Sequence, residues 1–351
     1  MSKVIIAAGG TGGHTYPAAA LGHDLQELNV EILFLGQNLP SPFQEISSGV
    51  LSGKKPIQSM KGLFRILRGI IQSFQAMRKF QPDLVVGFGS VYTFPILIAA
   101  LIKRVPLVLH EQNCIPGRVN RLMASFAKFT AITFPNSSSY LSGKTEQVAM
   151  PLRKGYQPGS ISPSEARKYY GLNPDQSTLL VFGGSQGATA INRLMSQSIT
   201  LLKNKGIQVL HFVGQNDSSD EFQERYRREG VHACVKTFED RMDLAWQASD
   251  LMISRAGAGT IAEQMAFEVP GILIPYPYAM DNHQEKNADF MQNIIKGGVK
   301  SMQTDLNSEL LAEQISQLLD PNSLRKMQES IRDYKEQNPQ NEMADLVWEN
   351  L

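Results

Sequence analysis

Two glycine-rich turns in this sequence follow short apolar runs and precede segments of helical period. The first reads GGTGGH over residues 9–14, and the second reads GGSQGA over residues 183–188. A strand that ends in glycines and opens a helix directs backbone N–H groups and the positive end of the helix dipole toward one point, where an anion binds well. Glycine also lets a phosphate approach the main chain without a Cβ in the way. One such turn is common in α/β proteins, but two indicate a phosphorylated ligand.

Three polar clusters also follow apolar runs: HEQN at 110–113, RAGAGTIAE at 255–263 and DNHQEKNA at 281–288. Each alone could be the capped start of a helix. Ligands of open α/β sheets bind outside the carboxyl ends of strands, so we expect the clusters to line a crevice. Amide and carboxylate groups suit a hydroxyl-rich ligand, because buried polar side chains require hydrogen-bonding partners. Together with the glycine turns, they favour a nucleotide sugar.

Two common nucleotide fingerprints are absent. With Gly10 and Gly12 as the first glycines of G-x-G-x-x-G, the third position is Thr15, and the second predicted strand ends FLGQN without an acidic residue. A dinucleotide site is therefore disfavoured, as is a P-loop, since no G-x-x-x-x-G-K-[ST] occurs. No Asp-x-Asp pair or His/Cys cluster with ligand spacing is present, so no obligatory metal is implied, and assistance by free Mg²⁺ stays open.

The elements that must position these groups alternate between short Val/Ile/Leu-rich runs and longer helical segments. Continuous apolar runs are typical of strands buried on both faces of a parallel sheet, so the predicted class is α/β. The predicted strands are Val4–Ala8, Glu31–Leu35, Asp83–Gly87, Val105–His110, Thr178–Phe182, Ile207–Val213, Asp250–Ser254 and Gly271–Pro275. The clearest predicted helices are Ala18–Leu28, Asn192–Lys203 and Gly259–Phe267.

The pattern restarts in the middle of the chain, where TLLVFGGSQGATAIN repeats the order of strand, glycine turn and helix. The stretch Pro151–Ala166 before it is rich in Pro, Gly and Ser, as a linker should be. Since 351 residues also exceed the size of a usual single core, we predict two doubly wound domains. From about Ser330 the chain is charged and helical, and its packing is left open.

Composition excludes several classes of protein. A formal charge of +1 argues against general affinity for nucleic acid. Two cysteines, Cys114 and Cys234, do not form a disulfide framework, so a reducing cytoplasm is the simpler setting. The N-terminal MSKVIIAAGG is predicted to be a strand rather than a signal peptide. The longest apolar stretch, Phe94–Ile102, is too short to span a bilayer.

The ordered set GGTGGHTYP, HEQN with IPGRVN, GGSQGA, RAGAGTIAE and DNHQEKNA resembles the MurG family of peptidoglycan N-acetylglucosamine (GlcNAc) transferases. The resemblance runs from Gly9 to Ala288. It implies a GT-B fold, in which two Rossmann-like domains face each other across a cleft. The implied domains are an acceptor and membrane-facing domain at 1–152, joined by a C-terminal helix at 335–351, and a UDP-GlcNAc-binding domain at 153–334.

The resemblance also implies roles for single residues. Ser185 would meet the diphosphate, Glu263 the ribose hydroxyls, and Gln284 and Asn287 the GlcNAc hydroxyls. The residues implied to lie beside the nucleotide and phosphates are Arg153, Glu239, Ala258, Gly259, Thr260, Ile261 and Ala262, with Glu239 contacting uracil through its backbone. The residues implied to reach the donor from the acceptor side are Thr11, Gly12, Gly13 and Asn113, and Asn120 lies on that side too. The sequence departs from the family at Met150 (usually Asn), Glu239 (usually apolar), Cys114 (often Gly) and His283 (often Gln).

The implied reaction transfers GlcNAc, with inversion, from UDP-GlcNAc to the muramyl 4-hydroxyl of lipid I, the undecaprenyl-pyrophosphoryl-muramyl-pentapeptide. A sugar hydroxyl needs a base, and His14 is the candidate because the pKa of histidine lies near neutrality. Alternatively, His14 only orients the loop or the acceptor. Glu111 is a second candidate for the catalytic group. Alternatively, Glu111 is a buried structural acid bonded to backbone amides.

A stretch without acidic residues lies between Glu45 and Asp83 and carries the cations Lys54, Lys55, Lys61, Arg65, Arg68, Arg78 and Lys79. Within it, Leu63, Phe64, Leu67, Ile70, Ile71 and Phe74 recur at helical spacing. Such a helix can lie on an anionic membrane, which suits a lipid-anchored acceptor and a peripheral location on the cytoplasmic face of the cell membrane. Alternatively, it is a core-facing helix with a solvated basic side.

Three rival functions stay open at this point. They are another GT-B lipid glycosyltransferase, a UDP-GlcNAc epimerase of the same fold, and a non-catalytic nucleotide-sugar-binding partner protein. HEQN together with GGSQGA favours the MurG resemblance over the first two, and an intact His14 with a complete set of donor residues disfavours the third.

Overall fold

The computed structural model describes residues 1–39, 42–49, 56–184, 187–203 and 205–351. The chain divides into two compact units. The N-terminal unit comprises Met1–Lys154 with Gln340–Leu351, and the C-terminal unit comprises Gly155–Pro339. The chain passes from one unit to the other at two points, and both lie a few residues after the expected boundaries at 152 and 334. Arg153 therefore lies in the N-terminal unit.

The N-terminal unit is built on a fully parallel sheet. Its strands are β1 (Lys3–Ala8), β2 (Glu31–Gly36), β3 (Phe43–Glu45), β4 (Leu84–Gly87), β5 (Leu107–Glu111), β6 (Phe129–Ile132) and β7 (Thr145–Gln147). Its helices are α1 (Gly12–Glu27), α2 (Pro56–Phe80), α3 (Phe94–Lys103) and α4 (Arg118–Met123), with α13 (Met343–Trp348) from the end of the chain and short 3₁₀ turns at Ala124–Phe126 and Pro135–Tyr140. The strand order is β3-β2-β1-β4-β5-β6-β7.

The C-terminal unit has a second parallel sheet. Its strands are β8 (Ser177–Phe182), β9 (Ile207–Phe212), β10 (Ala233–Lys236), β11 (Leu251–Ser254), β12 (Gly271–Leu273) and β13 (Gly298–Lys300). Its helices are α5 (Pro163–Tyr169), α6 (Thr189–Leu202), α7 (Ser219–Arg228), α8 (Met242–Ala248), α9 (Ala258–Phe267), α10 (His283–Phe290), α11 (Ser308–Leu318) and α12 (Pro321–Gln337), with a 3₁₀ turn at Met280–Asn282 and a π-helical turn at Met291–Ile295. The strand order is β10-β9-β8-β11-β12-β13.

Each sheet has one place where the strand order reverses direction, between β1 and β4 in the first and between β8 and β11 in the second. β4, β5, β9 and β11 are buried along their whole length, because helices cover both faces of the sheets. Loops at the reversal cannot cross the same edge, so they splay apart and leave a crevice above the carboxyl ends of the two strands. GGTGGH follows β1, GGSQGA follows β8 and RAGAGTIAE follows β11, so these motifs lie at the two crevices, whereas HEQN lies at the end of the neighbouring strand β5 and DNHQEKNA follows the neighbouring strand β12.

The predicted α/β class with two Rossmann-like sheets is confirmed, and all eight predicted strands are present within a few residues. Five strands were missed: β3, β6, β7, β10 and β13. β3 is exposed throughout, and β7 and β10 are half-buried, so their sequences lack the apolar run of a central strand. β13 has only three residues, and in β6 Thr130 interrupts the apolar pattern.

The C-terminal helix α13 belongs to the core of the N-terminal unit. Met343, Ala344 and Val347 pack into the same apolar cluster as Leu21 and Leu25 of α1. The backbone is tied in as well, because Ala149 N donates to Asn341 O at 3.0 Å. Among the described helices, none combines the length and apolar composition that a bilayer-spanning segment requires.

A buried histidine network braces the C-terminal unit beneath α6. The two ring nitrogens of His211 on β9 lie 3.0 Å from Asn192 Oδ1 and 3.1 Å from the Tyr226 hydroxyl. Asn192 Nδ2 in turn donates to Val213 O and Asp217 Oδ2 at 2.8 Å each. Burial lowers the pKa of His211 to about 3, so the ring is neutral and its contacts are ordinary hydrogen bonds.

This network makes the C-terminal unit sensitive to acid. The unfolded chain binds a proton on His211 near its ordinary pKa of 6.5, whereas the folded chain binds it only near 3, so the free energy of unfolding falls as the pH drops through that window. We expect a loss of roughly 2 kcal/mol from this residue between pH 7 and 5. Urea unfolding, followed by Trp246 fluorescence in a Trp348→Phe background, measures it.

In that background, His211→Gln should show a clearly shallower dependence on pH than the parent. His232→Gln, which changes an exposed histidine of the same unit, is the control and should follow the parent. Equal pH dependence of the His211 and His232 variants would contradict the expectation.

Candidate functional site

The first glycine turn lies at the reversal point of the N-terminal sheet. After β1 the chain passes Gly9 and Gly10, and Thr11 precedes α1 in an extended conformation. Gly10 has φ +103°, and a Cβ on Gly12 would lie 2.5 Å from the Tyr16 ring. The first N–H groups of α1 have no partners within the helix, and Thr11 and Gly13 are exposed. Main-chain donors are thus presented above β1.

His14 is fixed in this turn by the main chain of the neighbouring strand. Its Nδ1 lies 2.9 Å from the carbonyl oxygen of Phe88, which follows β4. A carbonyl oxygen only accepts hydrogen bonds, so Nδ1 carries the proton and the neutral ring has its lone pair on Nε2. That tautomer is able to accept a proton at Nε2.

Glu111 has the contacts expected of a buried structural acid, the alternative to a catalytic role. It is 2 % exposed, and its Oε1 accepts from Asn113 N at 2.9 Å. Its Oε2 accepts from Gly117 N and Asn120 Nδ2, also at 2.9 Å each. A carboxylate that accepts several N–H groups holds the loop from 111 to 120 in place. The same loop places Asn113 half-buried and Asn120 buried.

Arg153 lies beside the first glycine turn. Its guanidinium carbon is 3.7 Å from the centre of the Tyr16 ring, a close cation–π contact. Because the same ring packs against Gly12, Arg153 is coupled to the turn that presents the main-chain donors. The expected donor-binding arginine therefore belongs structurally to the unit that carries His14.

The second glycine turn occupies the corresponding position in the C-terminal sheet, after β8. Gly184 and Gly187 have φ +81° and +73°. A Cβ on Gly183 would lie 2.1 Å from the backbone nitrogen of Ala188, so only glycine allows the chain to fold back here. Ser185, the expected diphosphate contact, lies outside the described residues.

The RAGAGTIAE segment faces the second glycine turn across the reversal of this sheet. Gly257 precedes α9, so Ala258, Gly259 and Thr260 form its first turn and present N–H groups. The Ile261 side chain is fully buried, which leaves only its backbone for a ligand contact, and Ala262 is half-buried. The two elements that the sequence singled out in this unit are thus brought to one crevice.

Glu263, half-buried on α9, is oriented by a tryptophan. The indole Nε1 of Trp246 donates to Glu263 Oε2 at 2.9 Å. The indole is fully buried, stacked on Phe267 and edge-on to Phe182. A carboxylate held this way is a suitable acceptor for ribose hydroxyls.

Gln284 and Asn287 lie on α10, one turn apart. Gln284 Oε1 accepts from Tyr276 N at 2.9 Å, so the amide nitrogen is the end of that side chain left to donate. Asn287 is fully buried, and its Nδ2 donates to Ala256 O at 3.1 Å, which ties α10 to the RAGAG segment. His283, a departure from the family, has its Nδ1 2.8 Å from Met280 O.

Glu239 is turned inward. Its carboxylate, 8 % exposed, pairs with Lys236 Nζ at 2.7 Å and accepts from Arg241 N at 2.9 Å. The side chain is therefore occupied by protein partners, so a ligand contact here would have to use the backbone. The backbone contact with uracil that the family resemblance implies stays a prediction.

Sequence reasoning missed two groups that hold candidate site residues in place: the Phe88 carbonyl beside His14 and Trp246 beside Glu263. Neither has a local signal in the sequence. Arg255, which the sequence singled out as the arginine of RAGAG, is buried, and its guanidinium donates to Ile274 O, Pro275 O and Gln303 Oε1. Burial lowers the pKa of Arg255. In the part of the chain that the structure describes, no three His, Cys, Asp or Glu side chains cluster as metal ligands.

Comparison with known proteins gives a consistent picture. The glycosyltransferase family 28 N-terminal domain matches residues 4–132, and the family 28 C-terminal domain matches residues 178–346. A UDP-N-acetylglucosamine–N-acetylmuramyl-(pentapeptide) pyrophosphoryl-undecaprenol N-acetylglucosamine transferase of Protochlamydia amoebophila is 48% identical over 99% of this chain and 96% of its own length. The Chlamydia pneumoniae protein of the same name is 35% identical, over 95% and 94%.

A solved structure agrees with these relatives. The crystal structure of Acinetobacter baumannii MurG matches with a TM-score of 0.75 and 27% identity, over 95% of both chains.

The contacts of Glu111 predict a stability effect. In Glu111→Gln an amide NH₂ replaces one of two oxygens that accept N–H groups, leaving buried donors unsatisfied, and we expect the free energy of unfolding to fall by about 2 kcal/mol. Denaturant titration measures it. Glu31→Gln, which changes an exposed acid of the same unit, is the control and should change stability by less than about 0.5 kcal/mol. Wild-type stability in Glu111→Gln, with activity lost, would favour a chemical role.

Proposed function

The chain belongs to the UDP-N-acetylglucosamine–N-acetylmuramyl-(pentapeptide) pyrophosphoryl-undecaprenol N-acetylglucosamine transferases within glycosyltransferase family 28, and we infer that it catalyses their reaction. It is a UDP-GlcNAc-dependent hexosyltransferase that moves GlcNAc to lipid I and releases UDP. The observation that carries this inference is 48% identity over nearly the whole chain to a protein of that name. The activity belongs to peptidoglycan synthesis.

We propose that the C-terminal unit holds UDP-GlcNAc. The N-terminal turns of α6 and α9 present main-chain donors at one reversal point, which suits a diphosphate. Glu263, oriented by Trp246, would accept from the ribose hydroxyls, and the Gln284 amide would donate to the sugar. As the bond to the sugar breaks, negative charge grows on the diphosphate, and preorganised N–H dipoles stabilise it without reorganising.

We propose that His14 is the general base. Its Nδ1 is engaged by a carbonyl, so Nε2 would take the proton from the muramyl 4-hydroxyl as oxygen attacks the anomeric carbon. Glu111 does not compete for this role, because both of its oxygens accept from the protein. The alternative in which His14 only orients the loop predicts a smaller loss of rate on its removal.

His14→Ala should lower kcat by about 10²-fold or more and leave the KM for UDP-GlcNAc little changed, since the ring acts on the acceptor proton. Release of UDP in the presence of lipid I measures both constants. His23→Ala, which changes another histidine of α1, is the control for substitution on that helix. Turnover of His14→Ala close to that of wild type would remove His14 from the base role.

The same assay separates the rival functions. A transferase of this kind releases UDP only when lipid I is present, whereas an epimerase would change the sugar of UDP-GlcNAc without lipid I and without net release of UDP. A non-catalytic binding protein would bind UDP-GlcNAc without turnover, and another lipid glycosyltransferase would prefer a different acceptor.

We propose further that α2 contacts the cytoplasmic face of the cell membrane and makes the enzyme peripheral. Three apolar side chains of α2 are buried, those of Ile66, Ala76 and Met77, but several others are exposed to solvent. Those exposed by half or more are Met60, Leu63, Phe64, Leu67 and Ile71. Lys61, Arg65 and Arg68 are exposed beside them. An exposed apolar stripe flanked by cations suits an anionic lipid surface better than water. Lys54 and Lys55 lie outside the described residues.

Binding to phosphatidylglycerol vesicles should weaken by about tenfold or more in the double variant Arg65→Glu, Arg68→Glu, because each basic residue near an anionic surface contributes about 1 kcal/mol. Co-sedimentation measures it. Arg225→Glu with Arg228→Glu reverses two exposed charges at the same spacing on α7 and is the matched control. Equal loss of vesicle binding in both double variants, or no loss in the α2 variant, would contradict membrane contact by α2.

A further inference from the structure

The carbonyl that orients His14 is itself held by the HEQN segment, and we propose that Gln112 is a positioning residue for the base. This inference rests on the proposed role of His14. Gln112 is 1 % exposed, and its Nε2 donates to Phe88 O at 3.1 Å. Phe88 O therefore accepts two hydrogen bonds, one from Gln112 and one from His14 Nδ1.

The orientation of the Gln112 amide follows from its partners. Only the NH₂ end can face a carbonyl oxygen, because two oxygens would repel. The second hydrogen of that NH₂ goes to His110 Nδ1 at 3.1 Å, which must then accept. His110 is fully buried, and burial together with nearby His14 lowers its pKa to about 3, so its ring is neutral and able to accept. Gln112 is thus locked between two acceptors.

The Phe88 carbonyl needs such support because the backbone beyond it is strained. Gly89 and Ser90 both have φ +75°, and this left-handed region is unfavourable for serine. The His110 ring packs against the Phe88 ring with 4.9 Å between centres. Asn120, held by Glu111, packs against Gly89, where a Cβ would lie 3.1 Å from Nδ2. The HEQN segment and Asn120 therefore pack against the turn at Gly89 and Ser90 and fix the direction of the Phe88 carbonyl.

The consequence for chemistry is the tautomer of His14. A carbonyl held toward Nδ1 keeps the proton there and the lone pair on Nε2, where a base must have it. Without the amide of Gln112, the Phe88 peptide can rotate, and the proton becomes free to move to Nε2, which cannot then act as a base. Gln112 thus acts through Phe88 without touching the substrate.

The test combines NMR and kinetics on the full-length enzyme. In ¹⁵N spectra recorded where the ring is neutral, and assigned with His14→Ala, wild-type His14 should be in the Nδ1–H form. Gln112→Met keeps the length of the side chain and removes both donors, and it should shift His14 toward Nε2–H. It should also lower kcat about tenfold, the effect of one hydrogen bond, with the KM for UDP-GlcNAc unchanged.

Gln208→Met is the matched control, because Gln208 is also fully buried and its Nε2 also donates to carbonyls, those of Asn173 and Gln176, in the C-terminal unit. It should leave the His14 spectrum and kcat unchanged. Gln112→Leu, which also lacks the donors, replaces Gln112→Met if that variant does not fold. An Nε2–H form in wild type, an unchanged tautomer in the variant or unchanged kcat would each overturn the proposal. The tautomer is read without turnover, so failure here is distinct from failure of His14 as the base.

Discussion

Burial of both faces of a parallel sheet is the constraint on which the rest of this structure depends. When β4, β5, β9 and β11 are covered along their whole length, a polar side chain within a strand must find its partners inside the protein, as Gln208 and His211 on β9 do. Polar groups that are to meet a ligand must therefore lie at the ends of the strands. All strands in each sheet run the same way, so all carboxyl ends meet at one edge. The candidate site residues of both units lie at or next to that edge, where the ends of the strands can meet a ligand.

The two units use that edge in the same way but with different side chains. In each, a glycine turn after the first strand lies beside the loop after the strand where the order reverses. In the N-terminal unit this neighbouring loop supplies a carbonyl that orients a histidine. In the C-terminal unit it supplies a second helix N-terminus, and Trp246 orients a carboxylate nearby. One backbone arrangement thus carries the proposed base in one unit and the proposed diphosphate site in the other.

The sequence was sufficient for the class, the repeat of the domain and the central strands, because long apolar runs and glycine turns are local signals. It was insufficient for the edge strands, whose residues are exposed or half-buried. It also left open the packing of the last helix, where a few side chains such as Met343, Ala344 and Val347 make the contact.

For the site, the sequence identified the candidate residues but not what holds them. Glu111 could not be assigned to structure over catalysis until Gly117 and Asn120 were seen to donate to it. The Phe88 carbonyl could not be found at all, because every residue has one. Its direction depends on the torsion angles of Gly89 and Ser90 and on side chains some 24 positions away in sequence, such as Gln112.

A backbone carbonyl as the partner of a histidine base has a different effect from that of a carboxylate. A carboxylate strongly favours the charged imidazolium, whereas a carbonyl fixes the tautomer and contributes only a partial charge. The one buried carboxylate in this loop, Glu111, is committed to Asn113, Gly117 and Asn120. Its hydrogen bonds hold the loop that supports Phe88 and Gln112. With His14 as the proposed base, the two functions that a histidine–carboxylate pair combines are separated: the Phe88 carbonyl sets the direction of the ring, and Glu111 holds the loop behind it.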